Sequence, residues 1–333
     1  MTNRPTHGGR LDAARRLYPM APLPWVDLST GVNPHPYPLP PVPLEAWTRL
    51  PDDDALATLT CAARRAYDAP AGASVVAGAG VQAFIQLVPR LVPARRVAVL
   101  GETYAEHAAC WRAAGALVEI CDTLDSLADT AADVVVIVNP NNPDGRLVSA
   151  AQLRELATRM EPRGGLLIVD ESFMDFTPQH SFCGETARAG VLVLRSFGKA
   201  YGLPGLRLGF ALCAPELALC LETGLGPWAV SGPALIVGTA ALSDHAWRMS
   251  AAAARAADAT RLDDLLRRAG FEIPGGVSLF RLGRHPEAAG RFAKLCADGV
   301  LTRAFDGRSD VLRFGLPGPE AAWRRVTAAL ARL

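Results

Sequence analysis

The chain has 333 residues, half of them hydrophobic and a fifth charged, with a formal net charge of +1. That length exceeds the usual single core, so two packed subdomains are expected. The near-zero charge argues against a nucleic-acid or anionic-membrane partner, and no run of ~20 uncharged apolar residues is present to span a bilayer. Seven cysteines, at 61, 110, 121, 183, 213, 220 and 296, form no CxxC pair and leave an odd count. Reduced thiols in a cytoplasmic protein fit that pattern. The polar start, MTNRPTHGGRLDAARR, lacks the apolar run of a signal peptide.

In chain order, the opening residues are rich in Pro, Gly and polar groups, ending in NPHPYPLPPVP. They read as an irregular arm (1–45), ordered only where it packs on something else. From about residue 55, short apolar runs alternate with helical patterns. Strands are expected at 74–77, 96–100, 117–120, 134–138, 166–169, 191–195 and 208–213. Most are unbroken Val/Ile/Leu runs, as in strands buried on both faces, so the α/β class follows, a mainly parallel seven-stranded sheet with helices on both sides. This large domain is placed at 46–225. A helix at 251–269, SLFRL, a helical stretch from Pro286, VLTRAF, VLRFGL and a last helix from Pro319 make a small α+β domain at 226–333.

Open α/β sheets bind ligands at the ends of their strands. Behind the first strand, Gly78-Ala79-Gly80-Val81-Gln82 opens an apolar helix, whose free N–H groups and dipole suit a phosphate. There is no GK[ST], which excludes a Walker loop, and a plain strand–helix turn explains the glycines equally well. Tyr104 follows the second strand and could stack on a planar ring or pack in the core. Asn139-Pro140-Asn141-Asn142-Pro143-Asp144-Gly145 is a rigid turn by composition, which leaves the Asn142 amide at the ligand edge unexplained. Asp170 follows a buried strand and needs a partner: a metal, a ribose, an arginine or a protonated ring nitrogen. Lys199 and Arg207 flank a glycine-rich stretch that, taken singly, is as well read as a solvated loop.

Taken in order, NPNNPDG, VDES, SFGKAYGLPGLRLGF and PWAVSG resemble the fold-type I pyridoxal-phosphate enzymes, in the branch containing histidinol-phosphate aminotransferase. The resemblance covers nearly the whole chain. It implies the fold-type I transferase fold and pyridoxal 5'-phosphate as cofactor, with no metal. By that resemblance Lys199 carries the cofactor and Asp170 pairs with its pyridine nitrogen. Tyr104 stacks on the ring, Asn142 bonds the phenolic oxygen, and Gly80, Val81, Ser196 and Arg207 hold the phosphate. It also implies a twofold homodimer, since sites of this fold lie at a subunit boundary.

Two features depart from the transaminase pattern. Transaminases carry a tyrosine three residues after the pyridine-nitrogen acid; here the run is Asp170-Glu171-Ser172-Phe173. The arm carries His7-Gly8-Gly9-Arg10 and Asp27-Leu28-Ser29-Thr30-Gly31-Val32-Asn33-Pro34. Together these resemble the threonine-phosphate decarboxylases of cobalamin biosynthesis, which convert L-threonine O-3-phosphate to (R)-1-amino-2-propanol phosphate and carbon dioxide. That implies a small phosphorylated amino acid as substrate, with Arg313 on its α-carboxylate and Arg303, His7 and Asn33 on its phosphate. Two arginine forks suit two anions. A tyrosine that the family often places before Pro-Asp, reaching the neighbouring subunit's cofactor, is absent from Leu50-Pro51-Asp52. The competing readings are a histidinol-phosphate-type aminotransferase and a catalytically silent cofactor-binding module.

Overall fold

The computed structural model describes residues 7–333, in two compact units. The larger comprises Tyr37–Asn142 and Leu147–Met249. Its seven strands are β1 (Ser74–Gly78), β2 (Arg96–Leu100), β3 (Leu117–Cys121), β4 (Val134–Val138), β5 (Leu166–Asp170), β6 (Val191–Ser196) and β7 (Gly209–Cys213). They lie in the order β1-β7-β6-β5-β4-β2-β3. Every neighbouring pair is parallel except the two made by β7, which runs antiparallel to β1 and β6.

Apolar continuity explains this sheet. β4 and β5 are buried at every residue, and their side chains alternate between two cores because successive residues of a strand face opposite ways. Val135, Ile137, Leu167, Val169 and Val193 pack on one side with Leu59, Leu153 and Leu235, from helices Asp53–Ala66, Ala150–Met160 and Gly232–Ser243. Val134, Val136, Ile168, Leu192 and Leu194 pack on the other with Phe84, Trp111 and Leu221, from helices Val81–Leu91, Glu106–Ala113 and Pro215–Leu225. β3, at the sheet edge, is mostly exposed. Side-chain caps start two of these six helices. Asp52 accepts from the Ala55 N–H at 2.7 Å, and Ser149 and Gln152 close a reciprocal capping box.

The smaller unit comprises the chain up to Pro36, Pro143–Arg146 and Ser250–Leu333. It holds an antiparallel sheet of β8 (Glu272–Val277), β9 (Phe280–Arg284), β10 (Arg303–Phe305) and β11 (Arg308–Gly315), in the order β10-β11-β9-β8. Helices Ala288–Ala297 and Glu320–Leu330 belong to it, as does helix His245–Arg268 from Ser250 onward.

This grouping differs from the expected 1–45, 46–225 and 226–333. Residues 226–249 belong to the larger unit, because helix Gly232–Ser243 packs Ala234 and Leu235 into its core. The arm up to Pro36 belongs with the C-terminal residues. Val26–Asp27 pairs in parallel with Val300–Leu301, and the Gly315 N–H donates to the Leu28 carbonyl at 2.7 Å. The arm also contains a helix, Leu11–Leu17, where irregular chain was expected. Among the described residues, no helix is long and apolar enough to cross a membrane.

Candidate active site

A cleft with about 770 Å³ of empty space opens in the larger unit, lined by Gly80, Val81, Tyr104, Asn142, Asp170, Ser196, Lys199 and Arg207. All eight residues singled out for the cofactor therefore meet in one place. They do so because parallel strands deliver their C-terminal ends to one edge of the sheet, and β7, running the other way, brings Arg207 in from its N-terminal end.

Gly80 caps helix Val81–Leu91 with φ of 85°, a conformation that glycine adopts without strain. A Cβ there would come within 2.9 Å of Arg207 Nη2. A missing side chain thus lets a guanidinium lie against the N–H groups that open the helix. Arg207 itself has φ of 55°, and its Nη1 donates to the Pro204 carbonyl at 3.0 Å. Positive charge and free helical N–H groups at one spot make a seat for a phosphate.

Asp170 is buried at the end of β5. One carboxylate oxygen is 2.8 Å from His107 Nε2; the other accepts from the Ser172 hydroxyl at 2.5 Å and the Ser172 N–H at 2.9 Å. Burial pushes this carboxyl up, but the bonds from His107 and Ser172 outweigh it and hold the group below the ordinary carboxylate range. Asp170 thus stays ionised in a dry site. His107 and Ser172 escaped the sequence reading. The available signal for His107 was its place three residues after Tyr104, in the first turn of helix Glu106–Ala113.

The Tyr104 hydroxyl donates to Gln82 Oε1 at 3.1 Å, and Gln82 Nε2 donates to Glu106 at 3.0 Å. Burial pushes the phenol up to about 12, with Glu106 adding to the effect, so it remains a neutral donor. Gln82, also in the cleft lining, was another residue the motifs did not single out. Lys199 Nζ stands 5.5 Å from the centre of the buried Phe173 ring. Phe173 offers this amine an apolar face with no hydroxyl.

The other candidates lie in the smaller unit. Arg303 and Arg313 face each other across β10 and β11. Arg313 is buried, donates to the Ser29 carbonyl at 2.8 Å and lies 5.1 Å from the Phe280 ring. Burial and the charge of Arg303 pull it down to about 10, against the opposing Asp27. Two facing guanidiniums repel, an arrangement better suited to receiving an anion than to bracing a sheet. Arg303 and His7 line a second cleft, of about 940 Å³. Asn33 lines neither cleft; it is buried, and its Oδ1 accepts from the His35 N–H at 3.0 Å and from Arg255 at 3.3 Å.

Comparison with known proteins shows the family. The family model for aminotransferase class I and II matches residues 46–329. The chain is 46% identical to a threonine-phosphate decarboxylase of Pseudomonas aeruginosa, over 97% of this chain and 96% of that one. It is 43% identical to a threonine-phosphate decarboxylase of a Sinorhizobium species, over 98% of both. A solved histidinol-phosphate aminotransferase from Sinorhizobium meliloti, in complex with pyridoxal-5'-phosphate, superposes with a TM-score of 0.82 at 21% identity, covering 99% of this chain and 95% of that one. The chain belongs to the aminotransferase class I and II family.

Proposed function

We propose that this chain decarboxylates L-threonine O-3-phosphate to (R)-1-amino-2-propanol O-2-phosphate, a step of cobalamin biosynthesis. The observation that carries the reading is the nearly full-length likeness to two proteins named threonine-phosphate decarboxylase. The cofactor is pyridoxal 5'-phosphate, and the cleft of the larger unit fits it by the chemistry of its donors. A cationic helix start suits the phosphate, an ionised buried carboxylate suits a protonated ring nitrogen, and an aromatic face and an amine complete the set. When bound, the cofactor supplies the electron sink that accepts charge from the substrate's Cα.

The residues then take distinct tasks. Lys199 would hold the cofactor and, once displaced by the substrate's amine and protonated, would deliver a proton from its ammonium to Cα, returning to the neutral amine. Asp170, its charge secured by His107 and Ser172, keeps a proton on the ring nitrogen. Tyr104 would stack on the ring, Asn142 would bond its phenolic oxygen, and Gly80, Val81, Ser196 and Arg207 would receive its phosphate. Arg313 takes the substrate carboxylate, and Arg303, His7 and Asn33 the substrate phosphate. Phe173 leaves the phenolic oxygen without the hydroxyl bond that a tyrosine would supply. Incubation with threonine phosphate should release carbon dioxide with no keto acid. Keto acid in its place would make the protein an aminotransferase of the histidinol-phosphate type.

The two arginines can be separated by substrate. Arg303→Ala should weaken threonine phosphate by tens to thousands of fold, the ~2–5 kcal/mol of a lost charged partner, while barely changing the feeble handling of plain threonine. Arg313→Ala should hurt both substrates, since both carry the carboxylate. Lysine at 303 restores charge without the planar fork, so rescue is partial. Equal losses for threonine and its phosphate in Arg303→Ala would retire its assignment.

A cytoplasmic homodimer belongs to the same proposal. All seven cysteines are free thiols. Leu39, Leu44, Trp47, Leu50 and Trp228 of the larger unit each expose more than half of their surface, apolar area that a second copy would cover. Light scattering on the cofactor-loaded protein should give twice the chain mass at micromolar concentration, and a monomer would refute the dimer.

A further inference from the structure

Behind the wall of the cofactor cleft lies a buried charge cluster that no step above uses. Glu171, Asp175 and Arg195 are 0%, 1% and 1% exposed. Arg195 Nη1 donates to Glu171 Oε2 at 2.7 Å, and Nη2 stands 3.2 Å from Asp175 Oδ1. The same guanidinium lies 4.4 Å from the centre of the Tyr67 ring. Glu171 also accepts from the Ser181 hydroxyl and the Phe182 N–H, each at 2.6 Å.

Two facts make this more than a stabilising salt bridge. Burying charges is expensive, and apolar replacements of such clusters are often as stable or more so. The cluster is also imperfect. Neither Asp175 oxygen has a hydrogen-bond partner among the described residues, nor do Arg195 Nε and the Tyr67 hydroxyl. Such cost within a core calls for a reason other than stability.

The chain order supplies one. Asp170, Ser172 and Phe173 line the cleft, while Glu171, between them, and Asp175, two residues on, turn to Arg195. Arg195 directly precedes Ser196, which also lines the cleft, and Lys199 follows within one turn. One guanidinium thus ties the back of the loop that presents Asp170 and Phe173 to the back of the strand that leads into Ser196 and Lys199. We propose that Arg195, with Glu171 and Asp175, is a positioning cluster that sets the spacing of these two cofactor-facing walls from behind.

This rests on the cleft of the larger unit being the cofactor site, and the test keeps the two apart. Arg195→Met alone strands two buried carboxylates, so the informative protein is the neutral triple variant Glu171→Gln, Asp175→Leu, Arg195→Met. It should fold with a melting temperature within a few degrees of the parent. Its dissociation constant for pyridoxal 5'-phosphate, read by equilibrium dialysis, should rise about 10- to 100-fold, as when supporting partners of a ligand are removed, and its visible absorption band should shift. Arg195→Lys, which keeps the charge but not the fork, should fall between parent and triple variant. A folded triple variant with the parent's affinity and spectrum overturns the proposal. So does one that fails to fold, because the cluster would then serve the fold itself, and so does an Arg195→Lys protein with parental affinity. A parent that binds no cofactor would instead remove the reading on which the proposal stands.

Discussion

Lys199→Ala should abolish turnover of threonine phosphate while leaving the protein folded. The proposed function gives one amine two tasks, holding the cofactor and protonating Cα, and a positioned proton donor alone is worth about 10²–10⁴-fold. The substitution removes a side chain that lines a cleft rather than one buried in the core, so the melting temperature should change little. Borohydride reduction of the parent should fix the cofactor to a single peptide containing Lys199. A label on any other lysine, or a Lys199→Ala protein retaining a tenth of parental activity, would defeat the assignment. The chain has one other lysine, Lys294, on helix Ala288–Ala297 of the smaller unit, whereas Lys199 Nζ sits against the apolar Phe173 ring and reaches its place from the short helix Phe197–Ala200.

Asp170→Asn should be nearly as damaging, by a different route. The substitution keeps the shape of the carboxylate but removes the charge proposed to hold a proton on the ring nitrogen. Loss of one partner from a desolvated charge pair costs about 2–5 kcal/mol, or tens to thousands of fold. Asparagine also places an amide where His107 and Ser172 now meet carboxylate oxygens at 2.8 and 2.5 Å. The loss should appear in the rate and in cofactor affinity together. The sign of the pH dependence follows from the direction of the shift. Asp170 lies below the ordinary carboxylate range when folded, so its stabilising contribution is complete above its unfolded value of about 3.9. It fades only as pH falls through the lower folded value. Asp170 should therefore put no limb on the rate profile near neutrality. A parental limb at pH 6–8 that vanishes in Asp170→Asn would contradict the assignment, as would an Asp170→Asn protein with parental affinity and rate.

Much of this architecture was legible in the residues because it depends on local pattern. The run Val134–Val138 is apolar at every position, and such a run has one comfortable place, the middle of a sheet covered on both faces. The expected strands match the observed ones to within about a residue, as pattern set by burial should. Asp170, Ser196 and Lys199 were legible for the same reason, since residues at the ends of parallel strands meet at one sheet edge whatever the helices between them do.

What only the tertiary structure decided involves groups distant along the chain, or facing away from the motif that announced them. The arm belongs with the C-terminal residues because Val26–Asp27 pairs with Val300–Leu301, and backbone pairing carries no side-chain signature in either segment. His107 meets Asp170 across 63 residues of sequence, and Arg195 meets Glu171 across 24. A histidine or arginine in a sequence looks the same whether solvated or buried. The cost of desolvating a charge exists only once the chain has closed around it, and that cost is what selects its partner.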